Sequence, residues 1–452
     1  MYEEGRRFFI SSYSLPATWQ IEQTDIATAA PLAAIEEEVE TRLSYPTNSL
    51  PLTELCGAST DVVIVCDGAP TDEARLAILR GVLSHLERAG IAPDQVTLLI
   101  AAPSDEVPAD AEPPHGVSAA LSRLGDYAGR IRIFQHDPED VRELDDMGNF
   151  EGVPLTINYR AAEADLLIAI YAMHLDDDAG CAGSCATVTL GVVGTPTRRE
   201  LRTTRFYDDR IEPSAHDLPL FQRVMREGAR RAGLMFAVGA LVDAGGRALA
   251  IRAGAPANVD DALADLAHTL RESDVDAPSY DVVLAEPHWS GRAGGSLFDA
   301  SLAAIHISLG RNPILMRGGP LILPIERHED DSAPARAFYD ALANAPSPES
   351  VIRQLQGRSL HTGEARAYLL AHAMQRHHLI VAGPQHERLA RDIHFLSSSS
   401  VREAAELAEN FAGAHPRALI VRHALSTTPV FRGSLFASDP FEDRELVPSR
   451  WN

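Results

Sequence analysis

From residue 61 onward, short and wholly apolar runs alternate with stretches in which apolar residues recur every three or four positions. DVVIVCD predicts a buried strand, and TDEARLAILRGVLSHLERAG after it predicts a helix with Leu76, Leu79, Leu83 and Leu86 on one stripe. Thr71 or Asp72 is placed to cap that helix and Gly90 to close it. QVTLLIAAP is the next strand, which completes a β-α-β unit whose parallel strands need helices on both faces. IRIFQHD continues the sheet, TINYRAAEA leads into a turn or short helix, and DLLIAIYAM is a further strand ending at His174.

The pattern is weaker over residues 192–240, where LFQRVMREGARRAGLMF predicts a helix, and then resumes. RALAIRAGAP and the helix VDDALADLAHTL close a first half. YDVVLAEP opens a second, followed by the helix SLFDASLAAIHIS, a strand, glycine turn and strand in PILMRGGPLILPIE, and the strands HHLIVAGP and RALIVRHA, with helices such as SVREAAELAENFAG between them. The expectation is an α/β protein of two α/β domains, residues 1–270 and 271–452, with largely parallel sheets and an interdomain cleft. The boundary falls in the acidic, proline-containing RESDVDAPSY, and a tail begins at about residue 432.

Length and composition leave room for this. The chain has 452 residues, 45% hydrophobic and 23% charged, enough for two or three ordinary domains with their own cores. Asp and Glu total 64 against 40 Lys and Arg, a formal charge of -24, so phosphate backbones and anionic membranes are poor partners. The opening MYEEGRRFFISS is not a basic, apolar leader, and runs such as LLIAIYAM fall far short of the roughly 20 residues that span a bilayer. A cytoplasmic protein is expected. Neither GxGxxG after a first strand nor GxxxxGK[ST] occurs, which disfavours nucleotide binding by those devices. GRAGG at 291–295 precedes a helix and reads as an anion-binding turn or simply a turn.

The densest chemistry lies in HLDDDAGCAGSCATVTLG, residues 174–191, where a predicted parallel strand stops, the edge at which α/β proteins place ligands. Four cysteines, at 56, 66, 181 and 185, make no secreted framework. Asp67, Asp105 and Asp176, with His174 nearby, fall at the ends of neighbouring predicted strands. Acidic residues are abundant along the chain, and these acids read first as solvated loop caps; as a site they suit a magnesium or calcium ion, with His174 and Cys181 or Cys185 shifting the preference to zinc, or a metal-free acid/base pair. Asp105, Asp176, His174 and Cys185 are the candidate catalytic residues. Cys185 qualifies if a helix amino end lowers its pKa. His136, His288 and Trp289 are further residues that would face a cleft, and His361 reads as a helix-start residue.

With these loops placed, the chain resembles the lactate racemase family, whose best known members use a nickel pincer nucleotide to move a hydride at the α-carbon of a 2-hydroxy acid. The resemblance runs from about residue 55 to about residue 430. It is carried by HDPEDVRELDDMGNFEGVPLTINYRAAEADLLIAI, the glycine loop from Asp176 to Gly191, YDVVLAEP with RAGGSLFDASLAA, the GGPLIL turn and HTGEARAYLLAHAM. It implies two α/β domains with the active site between them.

The family's chemical residues are replaced. Where the family has a histidine followed by arginine, this chain has Asp105 and Glu106, and its second histidine aligns with Asp176. The lysine that bears the pincer through a thioamide aligns with Ala186, whose methyl cannot form that link, so a covalent nickel pincer nucleotide is not expected. A third family histidine falls near Arg202, and a glutamine and lysine of the second domain fall at Asp299 and Leu302. Two function classes follow. One is an isomerase or lyase acting on a small hydroxy-acid-like substrate through cleft carboxylates, with a divalent metal as an option. The other is a non-catalytic relative that kept the cleft for a small ligand or a protein partner, including a second copy of the chain.

Overall fold

A computed structural model of the chain describes residues 13–25, 29–70, 72–102, 122–175, 183–211, 218–243, 245–288, 295–310, 313–325, 330, 332–383 and 387–432. The strands are β1 (Gln20–Gln23), β2 (Val62–Cys66), β3 (Val96–Ile100), β4 (Arg132–Gln135), β5 (Leu144–Phe150), β6 (Val153–Asn158), β7 (Leu166–His174), β8 (Leu234–Val242), β9 (Ala248–Gly254), β10 (Glu272–Val275), β11 (Val282–Ala285), β12 (Pro320–Pro324), β13 (His378–Ala382), β14 (Leu396–Ser398), β15 (Arg417–Val421) and β16 (Thr428–Phe431).

Two six-stranded sheets dominate, in the orders β4-β3-β2-β7-β8-β9 and β1-β15-β11-β12-β13-β14. All pairs of the second sheet are parallel, and in the first only β8 with β9 is antiparallel. β2, β3, β11 and β12 are nearly or wholly buried along their length, because helices cover both faces. The helix Glu73–Arg88 shows how sequence sets an element. Asp72 accepts the Arg75 N–H at 2.9 Å, and Leu76, Leu79, Leu83 and Leu86 are buried. Each such leucine contributes about 1.5–3 kcal/mol. Gly90, at φ +88°, then turns the chain into the left-handed region that favours glycine.

Both sheets reverse direction once in their strand order. In the first, the chain runs outward from β2 through β3 to β4 and restarts on the other side of β2 with β7. In the second, it runs outward from β11 through β12 and β13 to β14 and returns beside β11 as β15. In open α/β sheets such a reversal, at the carboxyl ends of two parallel strands, is the place where ligands bind.

The structure refines several sequence expectations. The helix expected over LFQRVMREGARRAGLMF ends at Arg231, and LMF begins β8 after Gly233 at φ +79°. TINYRAAEA leads into the expected short helix, Tyr159–Ala162, while its TIN closes β6, which pairs antiparallel with β5, a strand hidden by its charged and polar LDDMGNF. The first strand of PILMRGGPLILPIE shrinks to an isolated bridge between Tyr280 and Leu315. β1 lies far from its partner in sequence, since Gln20–Gln23 pair with Arg417–Ile420 in the second sheet.

The two sheets are tied by more than the chain. Tyr368 donates to Asp208 at 2.6 Å, Ser359 Oγ to the Arg199 carbonyl at 2.8 Å, and Arg376 Nη2 to the Ile211 carbonyl at 2.9 Å. Ile211 is itself buried in the core of the second sheet. Among the described residues no helix is long and apolar enough to cross a membrane.

Candidate functional site

At the first reversal, β2 runs into Asp67 and β7 ends at His174. The Asp67 carboxylate is gripped by Arg75, Nε to Oδ1 at 2.6 Å and Nη2 to Oδ2 at 2.8 Å, and Oδ2 also accepts the Ala172 N–H at 3.1 Å. Arg75 spans further to Asp72 Oδ2 at 2.7 Å. One fork thus fastens the helix start, the end of β2 and β7 together. Both Asp67 oxygens are thereby engaged in holding this edge together.

His174 is half-buried and pairs in register with Val242. Cys66 is level with Ile170, so His174 lies three residues beyond the level of Asp67, roughly 10 Å along the strand. The structure therefore brings the two residues to one edge but at different heights. Asp105, Asp176, Cys181, Glu106 and Trp289 lie outside the described residues. Among the described residues, no three His, Cys, Asp or Glu side chains are grouped to hold a metal ion.

The far end of the glycine loop is closed by a carboxylate from elsewhere. Asp260, on the helix Pro256–Arg271, accepts the N–H of Ser184 at 2.7 Å and of Cys185 at 3.1 Å, where the short helix Ser184–Thr189 begins. Gly183 permits this approach, since it has φ +143° and a Cβ there would stand 2.8 Å from Asp260 Cγ. Cys185 is buried, and burial, reinforced by the Asp260 charge, pushes its thiol up to about 12. The helix amino end on which the nucleophile expectation for Cys185 depends is occupied by Asp260, and burial favours the protonated thiol.

Other expected residues also belong to the framework. His136 is buried, its Nε2 donating to the Val193 carbonyl at 3.0 Å and its Nδ1 accepting from Asn158 Nδ2 at 3.1 Å. Burial lowers its pKa, which favours the neutral ring that this pairing needs. His361 caps the helix Thr362–Arg376, and Asp299 closes a capping box with Ser296. Ala186 and Leu302 pack against hydrophobic cores. His288 follows β11 at the second reversal.

Sequence reasoning missed Arg75, Asp260 and Arg198. Arg198 is buried, and its Nη2 donates to the carbonyls of Leu190 at 2.9 Å, Ala102 at 3.3 Å and Gly191 at 3.4 Å, locking the end of the glycine loop to the end of β3. A simpler signal was also available in composition: the 40 residues counted as Lys and Arg are all arginine, and the sequence contains no lysine.

Strand order and pairing define an α/β protein with two open, mainly parallel sheets, each with one reversal of strand order. Residues 10–200 match the lactate racemase N-terminal domain family. The structure of the lactate racemase apoprotein from Thermoanaerobacterium thermosaccharolyticum is similar over 92% of this chain and 97% of that chain, with a TM-score of 0.70 and 16% identity. A protein from Thermotoga maritima is similar over 90% of this chain and 100% of that chain, with a TM-score of 0.53 and 12% identity. No curated protein sequence matches the chain. The chain is thus similar in sequence to that family over its N-terminal part, and similar in fold to the apoprotein over nearly its whole length.

Proposed function

We propose that this protein is a lactate-racemase-like binder of a small hydroxy-acid-like molecule, held in a cleft between the two α/β halves, and that it does not perform covalent pincer hydride chemistry. One observation carries this reading. The position that aligns with the pincer-bearing lysine is Ala186, packed on a core beside N–H groups already taken by Asp260, and no lysine elsewhere in the sequence can substitute for it. The residues present do not fit the pincer group. The other residues tested for chemistry support the same reading, since Asp67 is engaged by Arg75 and the Cys185 thiol is held protonated.

A carboxylate-based isomerase or lyase is the second reading. It is favoured by His174, which ends β7 at the reversal beside β2, and takes Asp105 and Asp176 as its carboxylates on the sequence reading alone, with a divalent ion as an option. The test supplies single-enantiomer lactate, glycerate and malate to the purified protein, with and without added pincer nucleotide and magnesium. Calorimetric binding without turnover and an unchanged intact mass are expected. Racemisation or a stable mass adduct would overturn the proposal, and magnesium-dependent turnover would establish the second reading.

A further inference from the structure

The ion pairs of this fold leave a charge surplus that no rearrangement of side chains can remove. Asp and Glu number 64 against 40 arginines and no lysine. Even if every arginine took a different carboxylate, 64 less 40 leaves 24 carboxylates without one. Several arginines are not set against that surplus at all. Arg230 and Arg231 converge on one carboxylate, Glu227, while Arg198 Nη2 and both Nη groups of Arg376 donate to backbone carbonyls.

The surplus is set close together on exposed helix faces. Glu36 and Glu40 are exposed one turn apart on the helix Ile35–Ser44, Asp261 and Asp265 on Pro256–Arg271, and Glu403 and Glu406 on Val401–Ala412. In each pair one carboxylate has an arginine, Glu40 through Arg88, Asp261 through Arg226 and Glu406 through Arg402. Its neighbour has none among the described residues. Side chains three or four positions apart on a helix stand about 5–6 Å from one another, and like charges there repel. The screening length is about 8 Å at 0.15 M salt and about 3 Å at 1 M, so dilute salt leaves this repulsion in force and concentrated salt quenches it.

The choice of cation points the same way. A lysine ammonium is a strongly hydrated point charge, whereas a guanidinium makes paired, directional hydrogen bonds. Arg75 on Asp67, Arg88 on Glu40, Arg142 on Asp140 and Arg230 on Glu227 each set two nitrogens on the two oxygens of one carboxylate, at 2.6–2.9 Å. Salt screens the long-range field of a charge but leaves such short forked contacts in place. We infer that this fold is built for a medium of high ionic strength, in which counter-ions quench the repulsion among its surplus carboxylates, and that it loses stability in dilute salt. The inference concerns the charged surface and is independent of the function proposed above.

Thermal melts of the full chain in KCl, from about 0.1 M to about 2 M, test it. The midpoint should climb by about 10 °C or more over that range. Concentrated salt can also strengthen apolar burial, so a variant separates the two causes. Glu139, Glu163 and Asp265 are exposed and make no ion pair among the described residues. Glu139→Arg, Glu163→Arg and Asp265→Arg combined each add two positive charges, which moves the formal charge from -24 to -18. The variant should melt higher than wild type at about 0.1 M KCl, and its rise on adding salt should be smaller. A wild-type midpoint that stays level or falls as KCl is added would overturn the inference. An equal rise in both proteins would overturn it too, because the salt would then act on apolar burial and not on charge.

Discussion

Arg75 holds both carboxylate oxygens of Asp67, at 2.6 and 2.8 Å, in an arrangement where neither side chain is more than 21% exposed. Removing one member of such a pair leaves the other charge in a poorly solvated place, whereas removing both does not. Arg75→Met should therefore destabilise the fold by about 3 kcal/mol, and Asp67→Asn in that background should restore part of the loss. Urea unfolding of the two single variants and the double variant measures this. Additive single losses would refute the coupling.

The carboxylate of Asp260 leaves no room for a side chain on Gly183. Gly183→Ala forces a Cβ against it and places alanine at φ +143°, which together should cost about 2–3 kcal/mol. Replacing Asp260 by glycine removes the clash and leaves only the backbone strain. In that background the same alanine should cost markedly less, as read by thermal or urea melts. An equal loss in both backgrounds would mean that Asp260 does not set the requirement.

Much of the architecture was legible because parallel strands covered on both faces must be continuous apolar runs, as VVIVC and LLIAIYAMH are. The misses have the converse cause. β5 is charged and polar, and only its antiparallel partner makes it a strand. LMF of β8 directly follows a helix without a polar break, so periodicity alone merged the two. β1 is four residues long and joins a sheet formed almost 400 residues later, which no local pattern encodes. The edge positions of Asp67 and His174 could be read from strand ends. Their partners could not, because the Asp260 contacts cross 75 and 76 residues and that of Ala172 with Asp67 crosses 105.

Stability should depend on pH through buried histidines. Burial lowers His377 from 6.5 to about 4, and it is 7% exposed. Between those values the unfolded chain binds a proton that the folded chain refuses, so stability falls as pH drops from about 6.5 and the loss is complete near 4. The full window is worth about 3 kcal/mol for this residue. Urea midpoints at pH 7 and pH 5 should show the decline, and His377→Gln should flatten part of it. His85, His136 and His423, also lowered by burial, retain the rest. A midpoint that rises on acidification would contradict the sign.

Thiol reactivity separates a structural Cys185 from a catalytic one. Cys66 and Cys185 are both buried with thiols pushed up to about 12, whereas Cys56 is only half-buried, though burial raises it too. The thiolate is the reacting form, so both its population and its access favour Cys56. Iodoacetamide at pH 8, followed by peptide mass mapping, should modify Cys56 well before Cys66 or Cys185. Asp260→Asn removes the nearby negative charge but not the burial, so Cys185 should become only modestly faster, by less than about ten-fold. Labelling of Cys185 ahead of Cys56 in the unmodified protein would instead reveal a stabilised thiolate. It would return the residue to the list of nucleophiles, because neither burial nor the Asp260 charge can produce that order.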